Sequence, residues 1–284
     1  MIPSEFDYYR AGSVKEAIDL LSEKGPDVKI LAGGHSLLPA MKLRFNNPAV
    51  LIDIGGIPDL NYIREEDGHL IIGAGTTHGE LAASSLIGDL IPMLVETAAT
   101  IGDVQVRNKG TIGGSLAHAD PAADWPAALL AADAEIVITG ASGPRTVAVV
   151  DFFKGLFTTD LGESEIITEI RVPRPPENTL STYLKFQQPA SRFAIVGCAA
   201  MVTRNNGVCE NVRVAFTGVS ATPFRDRAVE QALEGKFPDA ETIATASAMA
   251  ASNVEAMVDH FASQDYRRHL ARVFAKRALA AVTG

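Results

Sequence analysis

The chain has 284 residues, of which 47% are hydrophobic and 21% are charged, and its formal net charge is −9. This composition is typical of a globular protein of about two domains with a real hydrophobic core. The acidic balance argues against nucleic acid as the main partner, because phosphate backbones are bound by concentrated lysine and arginine. No stretch of about 18 apolar residues predicts a membrane span, and no leader segment is evident, so we expect a cytoplasmic protein.

The first sixty residues have β/α character. Ser13 and Glu16 form a capping box that opens a predicted helix over 13–23. Strands are predicted over 29–32 and 50–53. From about residue 61 the pattern changes, and a capping box at Thr77 and Glu80 follows a predicted strand over 69–75. A helix is predicted over 90–101. Asp120 as N-cap and Pro121 as first residue predict another helix that runs to Leu130. Strands are predicted over 135–139, 145–149 and 166–172.

A proline-dense segment, Pro173-Arg174-Pro175-Pro176, separates two patterned regions and predicts a domain boundary. The first domain then covers 1–173, with subparts of about 1–60 and 61–173, and the second covers 177–284. Strands are predicted in the second domain over 180–188, 194–204 and 210–218, and helices over 225–234, 239–251 and 264–282. Three strands followed by helices indicate an α+β domain with a three-stranded antiparallel sheet.

Two glycine motifs carry the strongest local signal. The first glycine motif is Ala32–Leu38, which reads Ala-Gly-Gly-His-Ser-Leu-Leu, and the second is Thr111–Ser115, which reads Thr-Ile-Gly-Gly-Ser. Adjacent glycines permit φ > 0 and let a ligand approach the backbone closely. Successive N–H groups can then form an anion-binding nest, to which Ser36, Thr111 and Ser115 add hydroxyl groups. Two such motifs suit the two phosphates of a dinucleotide, whereas each one alone could be an ordinary glycine turn.

Other familiar sites are absent from the sequence. Gly73-x-Gly75 lacks the third glycine of a Rossmann fingerprint, and Gly235-Lys236 is not part of a P-loop. Two cysteines cannot supply the usual four thiolates of a zinc or iron–sulfur site. Asp120 and Asp124 have the i, i+4 spacing of a metal pair, but a helix cap and one sugar-binding carboxylate is the favoured interpretation. We therefore predict no metal site and assign no catalytic side chain.

Three segments together resemble the medium, FAD-binding subunits of molybdenum hydroxylases, the group of carbon monoxide dehydrogenase and xanthine dehydrogenase. They are the first glycine motif, Gln105–Ser115 and Ala119–Asp124. The resemblance extends over nearly the whole chain, because length and domain order also match. It implies a two-part FAD-binding domain of the vanillyl-alcohol-oxidase (PCMH) type followed by an α+β C-terminal domain of the carbon monoxide dehydrogenase flavoprotein type.

The resemblance also implies which residues contact FAD. Lys29 would lie at the entrance of the first motif, Asp124 would bind ribityl or ribose hydroxyl groups, and Phe193 would lie near the exposed flavin face, where some relatives have tyrosine. Without the resemblance, Lys185 would be taken as a solvated edge lysine and Phe193 as a core residue. The full implied set is Lys29, Ala32, Gly33, Gly34, His35, Ser36, Leu37, Ile101, Gly102, Thr111, Gly113, Gly114, Ser115, Asp124, Leu161, Lys185 and Phe193.

The implied function is electron transfer. A large molybdopterin subunit would hydroxylate the substrate, and a small subunit with two [2Fe–2S] clusters would pass electrons to this FAD and on to quinone, oxygen or NAD. The complex would be a dimer of heterotrimers. Two alternatives stay open: a stand-alone flavin oxidase with FAD bound covalently at His35, and a non-catalytic nucleotide-binding module. The substrate cannot be deduced from this chain, because another subunit would select it.

Overall fold

The computed structural model describes residues 1–284, which begin with a small parallel β/α unit. Its elements are β1 (Asp7–Arg10), α1 (Val14–Lys24), β2 (Val28–Leu31), α2 (Leu37–Lys42) and β3 (Val50–Asp53). The strands form one parallel sheet in the order β1-β3-β2. Ala17, Ile18 and Leu21 share one buried face of α1 and belong to the same hydrophobic core as β3. The first glycine motif therefore follows the carboxyl end of β2, where ligands bind in parallel sheets.

A five-stranded antiparallel sheet with short helices makes up the second part. Its elements are β4 (Ile63–Glu66), β5 (His69–Gly73), α3 (His78–Ala82), α4 (Ser85–Leu90), α5 (Pro92–Thr100), α6 (Val104–Arg107), α7 (Ile112–His118), α8 (Trp125–Ala131), β6 (Glu135–Gly140), β7 (Gly143–Ala148), α9 (Val149–Phe152), β8 (Phe153–Gly155), β9 (Thr158–Thr159) and β10 (Ile166–Pro173). The sheet order is β4-β5-β10-β6-β7, and β8 pairs with β9. Ile72, Ile136 and Ile170 from its three central strands pack with Trp125 in one core.

The third part is a four-stranded antiparallel sheet with three helices. Its elements are β11 (Thr179–Gln187), β12 (Ala194–Asn205), β13 (Val208–Thr217), β14 (Phe224–Arg225), α10 (Arg227–Leu233), α11 (Ala240–Ala248) and α12 (Gln264–Thr283). Strand β12 is buried on both faces, and its side chains alternate between two hydrophobic cores. Ala199 and Met201 join the core of the second part, whereas Cys198 and Ala200 join a core beneath α10, α11 and α12. The C-terminal sheet is thereby packed against helices α5 and α8 of the second part.

Three predicted elements differ from the structure. The predicted helix over 121–130 begins only at Trp125, because the Asp120 carboxylate accepts from the Ala122 N–H at 2.8 Å and closes a turn instead. The predicted helix over 90–101 is α5, Pro92–Thr100, which begins two residues late because Pro92 takes the first helical position and Ile91 before it is not helical. The predicted three-stranded sheet gains the short fourth strand β14, a two-residue pairing too brief to leave a periodic pattern.

The structure contains no helix with both the length and the apolarity needed to cross a membrane. Nowhere do three or more His, Cys, Asp or Glu side chains gather in a way that could hold a metal ion. Cys198 and Cys209 are buried and unpaired, and burial raises the pKa of the Cys209 thiol above its usual range. The candidate site must therefore be sought among backbone groups, hydroxyl groups and a few charged side chains.

Candidate functional site

The first glycine motif leaves a run of backbone N–H groups without acceptors. None of the five N–H groups from Gly33 to Leu37 donates a hydrogen bond within the protein. Gly34 has φ +71°, a left-handed conformation that glycine adopts without strain. Ser36 is exposed and its hydroxyl does not cap α2, and His35 is exposed with Nδ1 2.9 Å from the Gly33 carbonyl oxygen. Unused N–H groups around a left-handed residue are the donors from which anion-binding nests are made.

The second glycine motif is the start of α7 rather than a loop. Thr111 caps this helix, and its Oγ1 accepts from the Gly114 N–H at 3.1 Å. Gly113 donates its N–H to the Ala74 carbonyl at 2.9 Å, and a Cβ on Gly113 would lie 2.6 Å from Ala74 Cβ. Ser115, which is half-buried, donates its N–H to the Thr111 carbonyl at 3.0 Å. The N–H groups of Gly113, Gly114 and Ser115 are therefore used internally, unlike those of the first motif.

The two motifs meet at the segment that leads into α7. A Cβ on Gly33 would lie 2.1 Å from the Lys109 carbonyl oxygen and 2.8 Å from Gly110 Cα, so the two backbones are in direct contact. Gly114 is exposed, and a Cβ there would lie 4.0 Å from the Ala32 Cβ. Among the glycines of the two motifs only Gly34 adopts positive φ, so Gly33 and Gly114 are not required for that reason. Gly33 is needed for close approach, and the open face of Gly114 is turned toward the first motif.

Ile101 and Gly102 follow α5, and two arginines hold their carbonyl groups. Nη1 of Arg107 donates to the Ile101 oxygen at 2.9 Å and to the Gly102 oxygen at 3.2 Å. Nη1 of Arg192 donates to the same Gly102 oxygen at 3.2 Å. Arg192 and Phe193 belong to the loop between β11 and β12, and Phe193 is 43% exposed, which contradicts its placement in the core. This loop therefore reaches across to the segment that follows α5.

Lys185 is buried, so the expectation of a solvated edge lysine is wrong. Its side chain is 2% exposed, and its Nζ donates to Asp124 Oδ2 at 3.0 Å, to the Thr100 carbonyl at 2.9 Å and to the Arg192 carbonyl at 2.8 Å. The Tyr183 hydroxyl donates to the other Asp124 oxygen at 2.5 Å. Burial raises the pKa of Asp124, against the opposing effects of Lys185 and Tyr183. The Lys185 ammonium group thus links three separate segments by hydrogen bonds, those that contain Thr100, Asp124 and Arg192.

The remaining predicted residues lie at the margins of this region. Lys29 is exposed on β2. Leu161 is half-buried and packs against the core of the second part. Asp120 closes its own turn and Asp124 pairs with Lys185, so these two carboxylates do not form a metal pair.

The sequence analysis missed His78, which lies beneath the junction of the two motifs. The residue is 5% exposed, and its ring Nδ1 accepts a hydrogen bond from Trp125 Nε1 at 3.1 Å. The backbone N–H of His78 donates to the Gly110 carbonyl at 2.9 Å, so the start of α3 is hydrogen-bonded to the segment entering α7. Burial, with smaller effects of the positive charges of His35 and Arg107, lowers the pKa of His78 to about 4. The capping box places this residue on α3 but does not say which way its ring faces.

The low pKa of His78 predicts acid destabilisation in a defined range. Its pKa is about 4 in the folded chain and 6.5 when unperturbed, so between these values only the unfolded chain takes up the proton. The free energy of unfolding should therefore fall as the pH drops from 6.5 to 4, by about 3 kcal/mol from this residue. Urea unfolding followed by fluorescence of Trp125, the only tryptophan, measures it. The His78→Asn variant should lack this part of the pH dependence; an unchanged profile would contradict the assignment.

The residues present fit a dinucleotide diphosphate. The first motif offers five unused N–H groups and a free serine hydroxyl, which suit phosphate oxygens. Any side chain on Gly33 would enter the contact between the motifs, and one on Gly114 would project from its exposed face. These features match what the resemblance to FAD-binding subunits requires.

Comparisons with known proteins identify the family of both domains. Residues 4–175 match the family described as FAD binding domain in molybdopterin dehydrogenase. Residues 181–282 match the family described as CO dehydrogenase flavoprotein C-terminal domain. The two matches together account for most of the chain, and the first alone exceeds half of it.

Individual relatives match over almost their full length. The chain is 41% identical to the carbon monoxide dehydrogenase medium chain of Hydrogenophaga pseudoflava, over 98% of this chain and 97% of the relative. It is 36% identical to the glyceraldehyde dehydrogenase medium chain of Sulfolobus acidocaldarius, over 98% of each. A solved carbon monoxide dehydrogenase chain from H. pseudoflava superposes with a TM-score of 0.96 at 43% identity, covering 99% of this chain and 98% of that one. The chain therefore belongs to the FAD-binding medium subunits of the molybdenum hydroxylases, which are oxidoreductase components.

Proposed function

We propose that this chain is the electron-transfer flavoprotein of a heterotrimeric molybdenum hydroxylase. A small subunit with two [2Fe–2S] clusters delivers electrons that a large molybdopterin subunit has taken from substrate. FAD held by this chain would supply the redox chemistry that passes these electrons to an acceptor, which is quinone, oxygen or NAD. The complex is a dimer of heterotrimers, and we place it in the cytoplasm, where thiols such as the two buried cysteines stay reduced.

The five unused N–H groups of the first glycine motif carry this proposal. These N–H groups lie at the surface and are not used within the protein, so they are available to a ligand that accepts hydrogen bonds. The run lies after the carboxyl end of a parallel strand and against the segment that enters α7. A dinucleotide diphosphate supplies acceptor oxygens of the right charge for this position.

In this proposal the chain itself binds and orients the cofactor and performs no acid or base chemistry. The first motif would hold the diphosphate, the start of α7 would border it, and the Asp124 carboxylate, its charge compensated by Lys185, would hold a sugar-chain hydroxyl. Arg107 and Arg192 hold the Ile101–Gly102 backbone beside the flavin ring. The residues proposed to contact FAD are Lys29, Ala32, Gly33, Gly34, His35, Ser36, Leu37, Ile101, Gly102, Thr111, Gly113, Gly114, Ser115, Asp124, Leu161, Lys185 and Phe193.

Electrons must reach this chain from another subunit. Its two cysteines cannot hold a four-thiolate cluster, and no group of metal-ligating side chains exists in the structure. The relatives are named for different substrates, carbon monoxide and glyceraldehyde, although their medium chains resemble this one to a similar degree. This supports the view that substrate selection lies outside the medium subunit.

The purified chain is expected to contain FAD, in about one-to-one ratio, and no covalently bound flavin. Two motifs that meet at one crevice suit a diphosphate better than the single phosphate of FMN. Extraction followed by chromatography identifies the flavin, and fluorescence of a denaturing gel tests covalent attachment. FMN alone would contradict the diphosphate assignment. A fluorescent band at the mass of the chain would instead favour a covalent bond at His35 and the oxidase alternative, and a colourless chain would favour the non-catalytic module.

The isolated chain is expected to oxidise none of the family's substrates. Adding the iron–sulfur and molybdenum subunits should restore substrate-dependent flavin reduction, because only then do electrons have a path to the flavin. Stopped-flow absorbance of the flavin measures this directly. Robust turnover of a small organic substrate by the chain alone would contradict the subunit function.

A further inference from the structure

One ring nitrogen of His78 is left without a partner. Because Nδ1 accepts the hydrogen bond of Trp125, the proton of the neutral ring lies on Nε2, which is then a donor. Nε2 makes no hydrogen bond within the protein, although the residue is 5% exposed. The only enclosed side-chain polar atom without a partner is Nε of Arg267, so Nε2 of His78 keeps contact with open space.

Nε2 lies beside the contact between the two motifs. A Cβ on Gly110 would lie 2.8 Å from Nε2, so the ring abuts the glycine against which Gly33 packs. His35 of the first motif is near enough for its charge to act on the ring. The N–H groups of Gly113, Gly114 and Ser115 are consumed internally. The second motif therefore keeps only its hydroxyl groups as free donors, whereas His78 adds a ring N–H beside the contact between the motifs.

We infer that His78 binds the diphosphate of FAD by donating Nε2–H to one of its oxygens, and that Trp125 fixes the tautomer that makes this possible. The inference rests on the proposed function and adds a ligand-binding residue to it. A neutral donor suits this position because Arg107 already supplies a positive charge nearby. Because Nε2 has no protein partner and stays accessible, it is free to donate to an anionic oxygen, and such charge-assisted hydrogen bonds are the strong ones.

Two variants separate the donor from the packing of the ring. In His78→Asn the amide oxygen replaces Nδ1 as acceptor for Trp125, but nothing occupies the place of Nε2. In His78→Gln the amide nitrogen reaches that place and can donate. We expect His78→Asn to weaken binding of FAD and of ADP to the apo chain by about 10- to 100-fold, as for one hydrogen bond to a charged group. His78→Gln should recover most of this affinity.

The controls distinguish this inference from a structural role and from failure of the proposed function. His69→Asn changes a histidine on β5 whose Nδ1 lies 3.0 Å from the Asp67 carbonyl oxygen, and it should leave binding unchanged. In wild-type chain with ¹⁵N-labelled histidine, the Nε2–H signal of His78 should shift on addition of ADP, a measurement that needs no variant. Equal affinities of wild type and His78→Asn, or an unshifted signal, would overturn the inference. A wild-type chain that binds ADP but not FAD would contradict only the proposed function, and one that binds neither would overturn both.

Discussion

Gly33→Val is expected to abolish FAD binding and to destabilise the N-terminal domain by about 3 kcal/mol or more. A Cβ at this position would lie 2.1 Å from the Lys109 carbonyl oxygen and 2.7 Å from its carbon. Backbone atoms cannot rotate away as a flexible side chain can, so the first motif and the segment entering α7 must separate. The flavin-to-protein ratio after purification and urea unfolding followed by Trp125 fluorescence measure the two effects.

Gly114→Val tests whether FAD is lost when a side chain obstructs the proposed binding surface without forcing the two motifs apart. Its Cβ would meet only the Thr111 side chain at 2.8 Å and the Ala32 Cβ at 4.0 Å, so disturbance of the helix cap should cost about 1 kcal/mol while FAD is still lost. Gly88→Ala is the matched control, because a Cβ there meets nothing closer than Val95 at 3.9 Å. Full FAD content in both valine variants would show that the diphosphate binds elsewhere.

The sequence predicts elements well where one periodic face is buried. The predicted helix over 264–282 is α12, Gln264–Thr283, because its apolar spacing matches the face that packs under the C-terminal sheet. Local cap signals are less decisive, as Asp120-Pro121 shows. Both residues suit a helix start, but the helix begins where Trp125 can bury its ring in the core. Packing of one large side chain thus outweighs a favourable local dipeptide.

The candidate site is predictable only in part, because its contacts join distant segments. The resemblance drew attention to Asp124 and Lys185, but nothing in the sequence indicated that they pair across 61 positions. The capping box marked the start of α3 but not the inward orientation of His78. The two glycine motifs looked equivalent, yet Gly113 serves packing on Ala74 while the first motif keeps its donors free. Such differences depend on what each backbone touches in three dimensions.

Lys185→Met is expected to lower the free energy of unfolding by about 3–5 kcal/mol, because it leaves a buried carboxylate uncompensated. Asp124 would keep only the Tyr183 hydroxyl, and the carbonyl groups of Thr100 and Arg192 would lose their donor. The segment after α5 and the loop before Phe193 would then be held less firmly, so FAD content should fall as well. Urea unfolding at pH 7 and the flavin-to-protein ratio measure these effects.

The double variant Asp124→Asn/Lys185→Met identifies the cause of that loss. The amide that replaces the carboxylate can still accept the Tyr183 hydrogen bond and carries no charge, so the double variant should be more stable than Lys185→Met by about 2 kcal/mol. The deficit of Lys185→Met should also shrink as the pH falls, because burial already raises the pKa of Asp124 and a protonated carboxyl needs no ammonium partner. Lys154→Met, at an exposed lysine 3.4 Å from Asp160, should change stability by less than about 0.5 kcal/mol. If Lys185→Met were no less stable than this control, the Lys185 ammonium would not hold the three segments together.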